Sequence, residues 1–179
     1  DPKVKAVQAL VLAPTRELAL QITAALGDYG SGLGLDMVTL YGGAGYHPQF
    51  AALHRGVDIV VGTPGRLVDH LERGSLDLAS VELLVIDEAD EMLRMGFVDD
   101  LTKILQAIPE TRQVALFSAT MPAPIRRVAE TYLRDPVEVH VEQGPLVVEH
   151  IEQLRVDVPL GHEIDTPVRV LKAKEAGAT

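Results

Sequence analysis

Val81–Leu93, VELLVIDEADEML, is the stretch on which the fold turns. Its first half, Leu83-Leu84-Val85-Ile86, is an unbroken apolar run, the composition of a strand buried on both faces of a parallel sheet. Three carboxylates follow within four residues, Asp87, Glu88 and Asp90, and then EMLRMGF, which is compatible with a helix. Acids at the carboxyl end of such a strand stand in the crevice where open α/β sheets take up ligands. In nucleotide-hydrolysing enzymes the first acid helps hold Mg²⁺, and its neighbour can position or activate a water. An Asp in this place also serves simply to cap the next helix. The neighbouring stretches have to decide.

Upstream, Gln8 to Ala13 (QALVLA) reads as a second strand of the buried type, punctuated by Pro14-Thr15. Arg16 to Tyr29 has helical spacing, with Leu18, Ile22, Ala25 and Leu26 on one face, and Gly30 to Gly34 ends it. Met37 to Tyr41 is a strand running into Gly42-Gly43. Tyr46 to Arg55 is a short helix, and Ile59 to Val61 is a strand that runs straight into Thr63-Pro64-Gly65-Arg66. A helix continues from there to about Arg73. Downstream of the acids, a helix over Phe97 to Ile108 is stopped by Pro109, and the strand Val114 to Phe117 ends in Ser118-Ala119-Thr120. A last helix begins near Pro122, and Val137 to Val141 alternates as a final strand does. Strands and helices alternate with short connections, the pattern of an α/β protein, a three-layer α/β/α domain around a parallel sheet.

Composition agrees. A chain of 179 residues suffices for one ordinary domain and not for two. Hydrophobic residues make up 47% but aromatics only 4%, so the core is aliphatic, as in parallel sheets. The absence of Cys excludes disulfides and thiolate metal sites, and six scattered His offer no plausible zinc-ligand pair. A net charge of −10 argues against a broadly basic nucleic-acid-coating surface, although backbone N–H groups and a few arginines still hold phosphates. No apolar run reaches transmembrane length and no signal peptide opens the chain, so a cytoplasmic protein is expected. After Glu142, Pro and Gly punctuate a less periodic stretch, which divides the chain into a domain over 1–142 and a linker with a tail over 143–179.

Each of five strands ends in a polar or glycine-rich turn. In chain order these are PTRE, GG, TPGR, DEAD and SAT. In a parallel sheet all five lie along one edge, and their shared chemistry points to an extended binding surface. Arg16 and Arg66 suit forked contacts to phosphate oxygens. Gly42, Gly43 and Gly65 let backbone N–H groups approach a polyanion, and Thr15 and Thr63 add hydroxyl donors. Few aromatic side chains stand beside them, so binding blind to base sequence is implied. Each group alone has an ordinary explanation: Gly42-Gly43 as a turn, Arg16 paired with Glu17, Ser118 and Thr120 as cap hydroxyls. Order and spacing together are what is specific.

PTRELALQ (Pro14–Gln21), Gly42-Gly43, TPGR (Thr63–Arg66), VIDEADEML (Val85–Leu93) and SAT (Ser118–Thr120) resemble, in order, the motifs of DEAD-box ATP-dependent RNA helicases. The resemblance is to the first of that family's two RecA-like domains, the P-loop NTPase type of α/β fold, and covers residues 7 to 142 or so. It implies ATP and Mg²⁺ as cofactors, with Asp87 coordinating Mg²⁺ through water and Glu88 positioning or deprotonating the attacking water. It implies that Asp90 bonds the Ser118 and Thr120 hydroxyls, linking nucleotide state to RNA state. Pro14, Thr15, Arg16, Gly42, Gly43, Thr63, Pro64, Gly65 and Arg66 would contact the RNA backbone. The helix from Leu67 to Arg73 would press on the RNA and bend one strand away.

Parts of the family pattern are missing from these residues. No GxxxxGKS/T phosphate loop occurs, nor the upstream adenine-reading Gln motif. The domain is therefore expected to be incomplete at its N-terminus, and the chain alone to hydrolyse little or no ATP. The missing segment is also expected to supply a strand beside the acidic one, leaving a gap in the sheet with exposed edges. The second RecA-like domain, with its arginine fingers, is an implied partner from the same parent protein. Glu149 to Pro159 resembles the linker and the first strand of that domain, and Leu160 to Thr179 continue no pattern. A catalytically inactive RNA-binding or protein-interaction module is the alternative. Intact Asp87, Glu88, Ser118 and Thr120 speak against it. A DNA helicase or translocase is a third reading; the PTREL and DEAD spellings favour RNA, but 2′-hydroxyl discrimination is not legible in the residues.

Overall fold

Parallel strands cannot be joined by tight turns, so consecutive strands here are linked through helices. In a computed structural model, which describes residues 6–141, strands β1 (Ala9–Leu12), β2 (Met37–Leu40), β3 (Ile59–Gly62), β4 (Leu83–Ile86) and β5 (Gln113–Leu116) form one parallel sheet in the order β2-β3-β1-β4-β5. The helices between and after them are α1 (Arg16–Tyr29), α2 (Tyr46–Arg55), α3 (Pro64–Glu72), α4 (Ala89–Arg94), α5 (Val98–Ala107) and α6 (Ala123–Tyr132). The register is regular: Leu10 lies beside Val60 on one side and Leu84 on the other, and Leu84 beside Val114.

Successive strand residues face opposite sides of a sheet, which sorts the core into two layers. Leu10, Leu12, Leu40, Val60, Leu84 and Ile86 join Leu67, Met92, Leu101, Ile104 and Ile125 from helices α3 to α6. Leu12, Leu84, Leu67 and Ile104 are wholly enclosed, and each such side chain contributes about 1.5–3 kcal/mol by leaving water. Val11, Ala13 and Val61 form the second, smaller cluster with Ala19, Ile22 and Leu26 of α1. The expectation that Leu83–Ile86 is buried on both faces holds only for alternate residues. α1 packs over β2 and β3, and Leu83 is left 38% exposed.

Local sequence sets the element ends. Thr15 caps α1, its Oγ1 accepting the Leu18 N–H at 3.2 Å, and Pro64 occupies the first turn of α3, where a missing N–H costs nothing. Gly62 ends β3 because a Cβ there would lie 2.7 Å from the Leu40 carbonyl oxygen and 3.0 Å from Leu67 Cγ.

Two expectations are corrected. The sheet has no gap beside the acidic strand: β4 is hydrogen-bonded on one side to β1 and on the other to β5. Its neighbours are both strands of this chain, so any further strand adds at an edge. Val137 to Val141 is not a strand. Its alternation is locally suitable, but no partner strand lies alongside among the described residues, and Val137, Val139 and Val141 are each more than four-fifths exposed. The chain divides into units Asp1–Pro136 and Val137–Thr179, and every strand and helix above belongs to the first. The expected linker and tail over 143–179 lie outside the described residues. No helix among the described residues is long and apolar enough to cross a membrane.

Candidate active site

Because all five strands run parallel, the turns at their carboxyl ends share one rim. The sheet order rearranges them: along the rim they run GG, TPGR, PTRE, DEAD, SAT. Glycine- and arginine-bearing turns thus occupy three neighbouring positions, and the acid- and hydroxyl-bearing turns occupy the remaining two. The chain leaves β1 toward β2 and β3, and leaves β4 in the opposite direction toward β5. β1 and β4 therefore flank a topological switch point, where such sheets bind ligands.

At the acidic end, backbone bonds continue the sheet past its strands. The Asp87 N–H donates to the Leu12 carbonyl at 3.0 Å, the Phe117 N–H to Ile86 at 2.8 Å, and the Ala89 N–H to Phe117 at 3.0 Å. Asp87 is half-buried, and its Oδ1 accepts the Glu88 N–H at 3.0 Å. Glu88 is exposed and holds a left-handed backbone, φ 51° and ψ 51°. A non-glycine residue there is strained by roughly 1–2 kcal/mol, and such strain collects at functional sites. Asp90, 6% exposed, faces the SAT turn: its Oδ2 accepts the Thr120 hydroxyl at 2.7 Å and the Thr120 N–H at 3.0 Å. The Thr120 hydroxyl above all holds the Asp90 carboxyl below the usual carboxylate range, while burial works the other way. Ser118 is a partner of Asp90 as well, and its side chain adds to the lowering of the carboxyl. Ser118 Oγ accepts the Asp90 backbone N–H at 3.1 Å and donates to the Thr120 carbonyl at 2.6 Å.

At the other end, Arg16 is exposed, 5.4 Å from the centre of the Tyr41 ring and 3.9 Å from Glu17. The Glu17 contact, between two exposed side chains, is weak. Thr15 serves as a helix cap through its oxygen lone pair, and its O–H remains able to donate. Thr63 precedes α3 and makes no side-chain cap bond. Gly42 and Gly43 are exposed, with φ +82° at Gly43, a value that only glycine adopts without strain. Gly65 is half-buried near Asp100 and Phe97. Pro14 and Pro64 are buried, so their rings shape the backbone rather than offer a surface. Arg66 departs most from expectation. It is 8% exposed, and its Nη1 donates to the Ala44 carbonyl and to Gln49 Oε1, each at 3.1 Å. The Nη1 side of the guanidinium is thus committed to the protein itself.

Residues 1–128 match the DEAD/DEAH box helicase family. The chain belongs to that family. Among similar DEAD-box proteins are the ATP-dependent RNA helicase DeaD of Mycobacterium tuberculosis, 53% identical over 95% of this chain, and DeaD of Escherichia coli, 49% identical over 99%. The chain covers 30% and 28% of the lengths of those relatives. A crystal structure of a DEAD box protein from the hyperthermophile Methanococcus jannaschii superimposes with a TM-score of 0.70 at 45% identity, over 73% of this chain and 36% of that one. A hypothetical ATP-dependent RNA helicase from Sulfolobus tokodaii gives 0.68 at 40% identity, over 75% of this chain and 40% of that one.

In this DEAD-box chain the motifs did not reveal Tyr46, Gln49 and His70. Gln49 and His70 are buried, and the Tyr46 ring lies 4.0 Å from the Arg66 guanidinium carbon and 4.7 Å from that of Arg73. The available signal was modest: a polar Gln and a His recurring on otherwise apolar helix faces. A hard cation fits the acidic end. Asp87 Oδ1 is bonded to a backbone N–H, and a half-buried carboxylate is the donor type that a hydrated hard cation takes. Among the described residues no three His, Asp or Glu side chains gather as a metal cluster. Water and ligand phosphates would have to complete such an ion's shell.

Proposed function

We propose that this chain carries the RNA-contact and water-activating part of an ATP-dependent RNA helicase, a RecA-like domain that couples ATP hydrolysis to local duplex separation. The supporting observation is the rim order: the DEAD turn lies directly beside PTRE, so one strand spacing of about 4.8 Å separates the acidic half from the polyanion half. Asp87 would hold a water of the Mg²⁺ shell, and Glu88 would orient the attacking water and accept its proton. Mg²⁺, when bound, neutralises charge on the β- and γ-phosphates. Asp90 and Thr120 tie the α4 end of the DEAD turn to the SAT turn, so that displacement of one moves the other. Thr15, Arg16, Gly42, Gly43, Thr63 and Gly65 line the path of the sugar–phosphate backbone, with Pro14 and Pro64 setting the backbone shape. A second RecA-like domain of the same parent protein supplies the arginines that act on the transition state, and the setting is the cytoplasm. Residues 143 to 148 serve as a linker toward that domain.

Glu88→Gln in the full-length protein tests this reading. It should abolish phosphate release while leaving ATP-dependent RNA binding within a few-fold of wild type. Unchanged turnover would remove Glu88 from its role. RNA binding indifferent to ATP in the wild-type protein would favour a module without catalysis.

A further inference from the structure

The Gly42-Gly43 turn is a short turn with no side chains of its own to pack against the domain. Both glycines are exposed, and a Cβ on either would meet no atom within 4 Å. The carbonyls at its two ends, Tyr41 and Ala44, are both captured by the same buried pair. Gln49, 5% exposed, donates from Nε2 to the Tyr41 carbonyl at 3.3 Å. Arg66 donates from Nη1 to the Ala44 carbonyl at 3.1 Å. The two side chains are joined through Gln49 Oε1, which accepts from Arg66 at 3.1 Å and meets His70 Nε2 at 2.9 Å. Arg66 and His70 stand one turn apart on α3, so the amide ties the turn after β2 to the helix after β3. The Tyr46 ring covers the guanidinium, and its hydroxyl donates to Asp69 Oδ2 at 2.6 Å, closing the clamp on its outer side.

We propose that Gln49 and Arg66 form a buried clamp that fixes the Gly42-Gly43 turn against α3, and that Arg66 acts on RNA through this turn instead of touching a phosphate. The inference rests on the reading of the rim as an RNA surface. Both residues are positioning residues, and salt dependence separates them from contact residues. Loss of a phosphate contact lowers the slope of log affinity against log salt by roughly 0.7–1, whereas a misplaced turn weakens binding with less change in slope.

The test measures affinity of the full-length protein for a single-stranded RNA at several salt concentrations with a non-hydrolysable ATP analogue. Each variant is read well below its own melting temperature. Arg66→Met and Gln49→Met should each lose about tenfold in affinity with the slope nearly unchanged, and the double variant should be little weaker than either, because one network is broken once. Gln49→Glu keeps the acceptor shared by Arg66 and His70 but loses the donor to the Tyr41 carbonyl, so it should recover only part of the loss. Arg16→Ala, the contact control, should lower the slope by about 0.7–1. If Arg66→Met fails to fold, Gln49→Met and Gln49→Glu carry the test. A slope reduced in Arg66→Met as in Arg16→Ala would place Arg66 on a phosphate and overturn the inference, as would wild-type affinity in Gln49→Met. No effect of Arg16→Ala on affinity or slope would instead sink the RNA reading of the rim, and the clamp's role with it.

Discussion

Glu88 and Asp90, two residues apart, show how differently carboxylates of one motif are held. Glu88 is exposed in a left-handed conformation. Replacing its side chain removes the functional group, but only glycine also removes the strain. Glu88→Gly should therefore unfold at a urea concentration no lower than Glu88→Ala, with a gain of up to about 1 kcal/mol, while both lose hydrolysis. Asp90 is buried, and its carboxyl is held below the ordinary 3.8 chiefly by the Thr120 hydroxyl. The native state thus binds the Asp90 proton less readily than the unfolded chain. The stabilisation is fully present above the ordinary carboxylate range and is lost as pH falls through the lower native value. Urea midpoints of wild type and Asp90→Asn should differ at pH 7 and converge below about pH 4. Thr120→Val, which removes one hydrogen bond to a charged group, should cost about 1.5–3 kcal/mol at neutral pH and little in acid.

At the scale of elements, the instructive region is the join of β2, α2, β3 and α3. Gly62 lets Leu67 and the Leu40 carbonyl close on the end of β3. One of those neighbours is backbone and cannot swing aside. Gly62→Ala should destabilise by about 1–3 kcal/mol, read from denaturant unfolding, although Ala is the smallest possible change. Nearby, His70 is wholly buried, with Ser75 Oγ at 2.8 Å from Nδ1 and Gln49 Oε1 at 2.9 Å from Nε2. Burial first, and then the Arg66 charge, push its pKa below the ordinary 6.5. Protons are therefore taken up on unfolding, so this contribution is intact above pH 6.5 and declines as pH falls below it. His70→Gln should flatten the change in thermal stability between about pH 7.5 and 5.5. This join was half legible. Helix spacing and the Gly-rich turn announced the elements, with Arg16–Tyr29 and Tyr46–Arg55 appearing over the expected residues. That Arg66 would turn inward was hidden, because the same letter serves equally as a phosphate fork and as a buried strut.

For the whole molecule, the deciding feature is the order of strands. A rim assembled from five turns places a glycine- and arginine-bearing half beside an acidic half, but no GxxxxGKS/T loop occurs among the 179 residues. The purified chain by itself should release little or no phosphate from ATP, with or without RNA, in a colorimetric phosphate assay. Turnover at the scale of about 1 s⁻¹ or above, the range ordinary for enzymes, would contradict that.

Local rules made much of this protein readable. Apolar runs of strand length, helical spacing and turn residues act over a few neighbours, so the chain alone specified the alternation of β and α, the parallel sheet and the set of polar turns. Pairing between strands is a choice among distant segments, and nothing within any one segment encodes it. Only the folded sheet could put PTRE between TPGR and DEAD and close β4 between β1 and β5. Burial is likewise a property of what packs above a residue. That is why the two arginines of the rim, alike as letters, end as one exposed cation and one enclosed strut.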